Sequence, residues 1–316
     1  MTFDRVLTTA GFALKLAPTS APKLMPRLTA MLALTLALSP LLAHGTPAIQ
    51  VQDDRSRTVV LDAPARRAVT LAPHATELVY AAGAGAYLVG TVQGSDYPPA
   101  ARALSVIGDG TQPDAERVVA ARPDLLIAWQ PSAAEPLVRV MDKLGVSVFY
   151  SDPLTLAAIP GAVERMGTLF GTESVANAAA RDMRARLDAL KARYAGRRPV
   201  RVFVQAGLDP IYTLNDTSIV SDALRLCGGV NVFGQASIVA PQVTLEGVLA
   251  ARPEAVLAGV SRPADTQANL AAWQAMGLPA ARAGHVYGVD ADALYRPGPR
   301  LIDAAETLCA DLDRVR

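Results

Sequence analysis

Few residues of this sequence are suited to proton transfer or covalent chemistry. It holds three histidines, and His44 lies in an N-terminal apolar stretch, which leaves His74 and His285. His74 follows Pro73 at the end of an apolar run. A neutral imidazole there could ligate a metal centre carried by a bound molecule, or make an ordinary polar contact near a helix start. Cys227 and Cys309 are too far apart, and too poor in histidine neighbours, for a zinc site, so the protein alone is expected to hold no metal. They fit one disulfide closing a long loop, or two buried thiols. The chain has neither a Gly-x-Ser-x-Gly elbow nor a phosphate loop ending in Gly-Lys-Ser/Thr. Gly83, Gly85 and Gly90 follow a helical stretch instead of opening one, and read as a helix stop. No set of acid, base and nucleophile converges, so an enzyme is not expected.

The remaining candidates suit binding. Aromatic residues make up only 5% of the chain, yet Tyr97, Trp129, Tyr212 and Tyr295 all fall in loops after apolar runs. Such faces suit a flat, largely apolar ligand. Arg296 is a basic candidate in the same kind of position. The net charge is +1 with both signs scattered, which excludes the basic stripe a nucleic-acid binder needs.

One stretch is written twice. ERVVAARPDLLIAW (116–129) and EGVLAARPEAVLAG (246–259) agree at seven of fourteen positions. Each reads as a short helix, an Arg-Pro break and a buried strand. In the first copy the helix is expected over 114–122, with Pro123 halting it.

The elements that must position these residues alternate. Apolar runs at 68–72, 87–92, 125–129 and 146–151 read as strands, with helical patterns between them. Pro73 is expected to end the first strand, with a helix starting near Thr76. Residues 172–196 hold no strand and read as one long helix closed by Gly196. The alternation then restarts with strands in 200–207, 230–233, 255–260 and 285–289 and a final helix from about 298. The fold class is therefore α/β, with two parallel-sheet lobes, 46–153 and 198–316, around a helical segment at 154–197. Ligands of such folds sit beyond strand ends, between lobes.

The N-terminus reads as an export leader. Lys23 and Arg27 precede the apolar run 28–43, and Ala43-His44-Gly45 fits a cleavage site; Met25 is a second candidate start. Residues 1–45 are accordingly set aside as a signal peptide. No cysteine follows the run closely, so a lipid tether is not expected. Export favours the disulfide among the two readings of the cysteines.

Seven segments together resemble a known family: TELVYAAGA, SDYPPAA, ERVVAARPDLLIAW, FVQAGLDPIYT, LRLCGGVNVF, PQVTLEGVLAARPEAV and PRLIDAAETLC. They are similar to the periplasmic binding proteins for iron complexes and cobalamin, which feed ABC importers, and to the cobalamin branch in particular. The resemblance runs from about Ala68 to the C-terminus. It implies two Rossmann-like lobes on one long helix, a monomer in the periplasm, and a corrinoid ligand held between the lobes as cargo, with no cofactor. It implies that Glu116 and Glu246, one per lobe, dock on arginines of a dimeric inner-membrane permease, and that Cys227 pairs with Cys309. It places Tyr97, Trp129 and Tyr212 at ligand-contacting positions, and His74 where the branch has a small residue. Three tryptophans of the branch are missing here, near 108–114, at Ala240 and at Ala293. Haem or a ferric siderophore on the same scaffold remains the near alternative, with His74 as an axial ligand or Arg296 as an anion contact. A signalling protein that keeps the scaffold without the ligand is a further one.

Overall fold

The structure is a computed structural model that describes residues 48–129 and 131–316. The expected leader at 1–45 lies outside the described residues. Ile49–Gln52 (β1) and Thr58–Leu61 (β2) form an antiparallel hairpin. Then come β3 (Ala68–Thr70), α1 (Pro73–Ala81), β4 (Leu88–Thr91), α2 (Ala115–Ala120), β5 (Leu125–Ala128), α3 (Pro131–Lys143) and β6 (Ser147–Tyr150). Two helices follow, α4 (Ala158–Phe170) and α5 (Glu173–Tyr194). The chain continues with β7 (Val200–Gln205), a small hairpin of β8 (Gly207–Leu208) and β9 (Ile211–Tyr212), α6 (Ile219–Leu226), β10 (Gly229–Asn231), α7 (Leu245–Ala251) and β11 (Ala255–Val260). It closes with α8 (Pro263–Ala275), α9 (Pro279–Arg282), β12 (Val286–Asp290), α10 (Ala291–Tyr295) and α11 (Arg300–Asp313).

The two four-stranded sheets are parallel throughout, in the orders β4-β3-β5-β6 and β10-β7-β11-β12. Counted within each sheet, both orders are 2-1-3-4. The expected α/β class with two parallel-sheet lobes is what the structure has. Side chains alternate across each strand, so each sheet is buried on both faces. Leu125 and Ile127 face the large central core, while Leu126 and Ala128 face an outer core with Leu137 and Met141. In the second sheet Val202 and Val204 face the central core, and Phe203 faces an outer core built on Trp273.

The helical segment holds two helices where the sequence suggested one. Gly171, in the left-handed region at φ 68°, ends α4, and the chain turns back into α5. The pair packs closely, because a Cβ on Gly167 would collide with Ala176. α5, with 22 residues and about 33 Å of length, packs on α1 from the first lobe and on α6 and α11 from the second. Cys227, just after α6, is disulfide-bonded to Cys309 in α11.

Two helix boundaries differ from expectation. α1 starts at Pro73 itself, which occupies the first helical turn, where a missing N–H costs nothing. α2 ends at Ala120, before the proline that was expected to halt it. The stop is Arg122, at φ 46°, and Arg252 has the same φ in the second copy. A residue ahead of proline is disfavoured in the helical region, and both arginines escape into the left-handed one.

Candidate functional site: the cleft between the strand ends

Loops at the C-terminal ends of six of the parallel strands border the cleft. In the first lobe β3 leads to Pro73 and His74, β4 to Gly94–Tyr97, β5 to Trp129 and β6 to Ser151 and Asp152. In the second, β7 leads to the β8–β9 hairpin with Tyr212, and β12 leads through α10 to Arg296 and Arg300.

His74 is the second residue of α1, not a loop residue, and only 2% of it is exposed. Its Nε2 lies 3.1 Å from the Ser151 carbonyl oxygen, so Nε2–H donates and the ring is the Nε2-protonated tautomer. Burial lowers its pKa from 6.5 to about 4; the Ser151 carbonyl opposes this and the nearby Arg296 charge adds to it. The ring is therefore neutral at ordinary pH. It meets Trp129 edge-on at 5.3 Å between centroids. Ligation of a metal through Nε2 would require the ring to give up Ser151.

Trp129 is half-buried and fixed from behind. Its Nε1–H donates to Asp152 Oδ1 at 2.8 Å. Burial raises the Asp152 pKa, the Trp129 bond opposes this, and Asp54 raises it further. Asp54, in the β1–β2 turn, accepts the Asp152 backbone N–H at 2.6 Å and pairs with Arg165 of α4 at 2.5 Å.

Ion pairs that cross between the lobes form the cleft floor. Glu77 of α1 has a side chain 2% exposed. Arg300 binds it through Nη2 and Nε at 2.6 and 3.0 Å. Arg296 Nη1 lies 3.3 Å from Glu77 and 3.3 Å from Asp96, and its Nη2 lies 2.6 Å from Asp292. A lone buried carboxylate would be costly, and two guanidiniums offset that cost. The Arg300 guanidinium also lies over the Tyr97 ring at 4.4 Å. Tyr97 itself is 43% exposed.

His74, Tyr97, Trp129 and Arg296 thus come together. Tyr212 is 38% exposed and stands apart on its hairpin, bridged to Gln242. Tyr295 turns inward: its hydroxyl donates to the Gln205 carbonyl at 3.1 Å and accepts the Gly259 N–H at 3.2 Å. Sequence reasoning passed over Glu77, Asp152 and Arg300. One signal was available, because Glu77 sits in the buried run His74–Val79, where a carboxylate needs a partner. Among the described residues no group of three or more His, Cys, Asp or Glu could hold a metal ion.

Glu116 and Glu246 occupy equal places. Each is the second residue of its helix, α2 or α7, and is exposed. Asp114 caps α2 by accepting from the N–H groups of Glu116 and Arg117, and Thr244 caps α7 by accepting from Gly247 N–H. Neither glutamate is ion-paired among the described residues.

Comparison with known proteins fits this geometry. A Vitamin B12-binding protein of Vibrio cholerae is 37% identical over 250 residues, which cover 79% of this chain and 90% of that protein. The crystal structure of the periplasmic Vitamin B12 binding protein BtuF of Vibrio cholerae superposes with a TM-score of 0.73 at 36% identity, covering 80% of this chain and 98% of that one. The periplasmic heme-binding protein RhuT of Roseiflexus sp. RS-1 shares the fold, with a TM-score of 0.70 at 23% identity over 79% of this chain and 99% of that one. The profile for the family described as periplasmic binding protein matches residues 69–293, and the chain belongs to that family.

Proposed function

We propose that this protein is the periplasmic binding component of an ABC importer and that it carries cobalamin or a close corrinoid to its permease. The observation that carries this reading is a cleft with aromatic walls whose arginines are already paired. A corrinoid presents a flat ring and a rim of neutral amides, and needs apolar contact with a few dipoles. The names of the relatives point the same way. It is a binding protein and not an enzyme: the ligand is cargo, and no cofactor is needed. Tyr97 and Trp129 would contact the ring, with Tyr212 closing from the second lobe. Residues 1–45 would direct export and be removed. Glu116 and Glu246 would dock a monomer on a permease dimer, each carboxylate pairing with a basic group.

Haem is the second reading, favoured by the fold shared with a heme-binding protein. The burial of His74 and the pairing of Arg296 weigh against it. Titration of residues 46–316 with cyanocobalamin and with haemin separates the two. One-to-one cyanocobalamin binding, tighter than haemin, is expected. Haemin binding more tightly, with a shifted Soret band lost in His74→Ala, would replace the corrinoid reading.

A further inference from the structure

The ion pairs of the cleft floor do more than join the lobes. Two guanidiniums, Arg296 and Arg300, meet four carboxylates: Glu77, Asp96, Asp290 and Asp292. Arg296 is held from both sides of the cleft, by Asp96 of the first lobe and Asp292 of the second. Its side chain is only 15% exposed, while those of Asp96 and Asp292 are 49% and 50% exposed. The solvent-facing part of the cluster is therefore acidic and the basic part is covered.

We propose that Asp96 and Asp292 determine the charge class of the ligand, by engaging Arg296 from opposite lobes so that an anionic chelate finds no free guanidinium. This deepens the corrinoid reading and rests on it. A chelate bearing carboxylates must bring each charge near the outer oxygens of Asp96 and Asp292, with no counter-charge to offset the repulsion. A ligand with an amide rim meets no such cost. Its amide N–H groups can donate to the same oxygens. The specificity acts by exclusion, through charges already satisfied within the protein.

The test compares haemin, which has two propionates, with its dimethyl ester, in which both propionate charges are removed and the metal is the same, in the wild type and in the Asp96→Asn/Asp292→Asn variant. A shape change moves both ligands, whereas a charge effect moves the diacid alone. Haemin is expected to bind the variant about tenfold more tightly, the ester equally, and the gain is expected to shrink as salt is raised. An unchanged ratio of haemin to ester affinity in the folded variant overturns the proposal. If the double variant does not fold, Asp96→Asn alone is read in the same way, with a gain of about threefold expected. Failure of the wild type to bind cyanocobalamin would sink the corrinoid reading instead, and the haemin-to-ester ratio would still decide this one.

Discussion

The segments 116–129 and 246–259 occupy equivalent places in the two lobes, and they agree and differ in a consistent way. At their bases they are held identically. Asp124 accepts the backbone N–H of Arg67 at 3.0 Å, and Glu254 accepts that of Arg201 at 2.9 Å. The Arg67 side chain caps α2 at the carbonyls of Ala121 and Arg122, and the Arg201 side chain caps α7 at those of Ala251 and Arg252. This clamp explains why Arg-Pro-acid occurs twice. At their ends they part. Trp129 and Gly259 are the last, equivalent positions, and each lies by the crevice between the first and third strands of its lobe. In the first lobe the strand supplies the aromatic ring. In the second, Gly259 leaves space, a Cβ there would strike Tyr295, and that tyrosine enters from α10. The frame is repeated, while the cleft surface is made differently on each side. Tyr295 also fixes the neighbouring Arg296 at the floor.

Three changes test how far the likeness goes. The largest concerns the disulfide, which is confined to the second lobe. Cys227→Ser/Cys309→Ser should lose about 4 kcal/mol, given a sequence separation of 82 residues, read as a lower denaturant midpoint. Hydrogen exchange should rise first in α6 and α11; an equal rise in both lobes would show that the lobes unfold as one. Next, Glu116→Ala/Glu246→Ala should cut uptake by vesicles bearing the permease about 100-fold while leaving ligand affinity unchanged. Equal single-variant losses would extend the likeness to docking, and unequal ones would break it there. The smallest is Gly259→Ala, which should cost about 2 kcal/mol through displacement of the Tyr295 ring. No loss on thermal melting would mean that the ring has room to move.

The parallel-sheet architecture was legible because buried strands of such sheets are continuous apolar runs, as in Leu125–Ala128. α5 was legible from its length and its closing glycine. α4 carries Pro160 and Gly161 near its start, residues that locally oppose a helix, although the first turn of a helix tolerates proline. Pro73 misled for the same reason. In the site, aromatic residues after apolar runs gave Tyr97 and Trp129. The floor could not be read in the same way, because Glu77 and Arg300 are 223 residues apart and no local pattern joins them. Tyr295 carried the right signal with the wrong direction, since the space at Gly259 that admits its ring exists only once the lobe is folded.

The turn between β1 and β2 has a consequence for where the chain can be cut. Asp53 accepts two N–H groups of its own turn and holds Arg57, and Asp54 N–H donates to the Tyr150 carbonyl at 3.0 Å. The same turn fixes Asp152, and through it Trp129. Proteolysis that spares Ile49 leaves this clasp whole. Trimming past Asp54 would release the indole of the cleft and also take Val51 out of the central core, so the tolerance of the N-terminus to processing is set by the ligand's wall as well as by the fold.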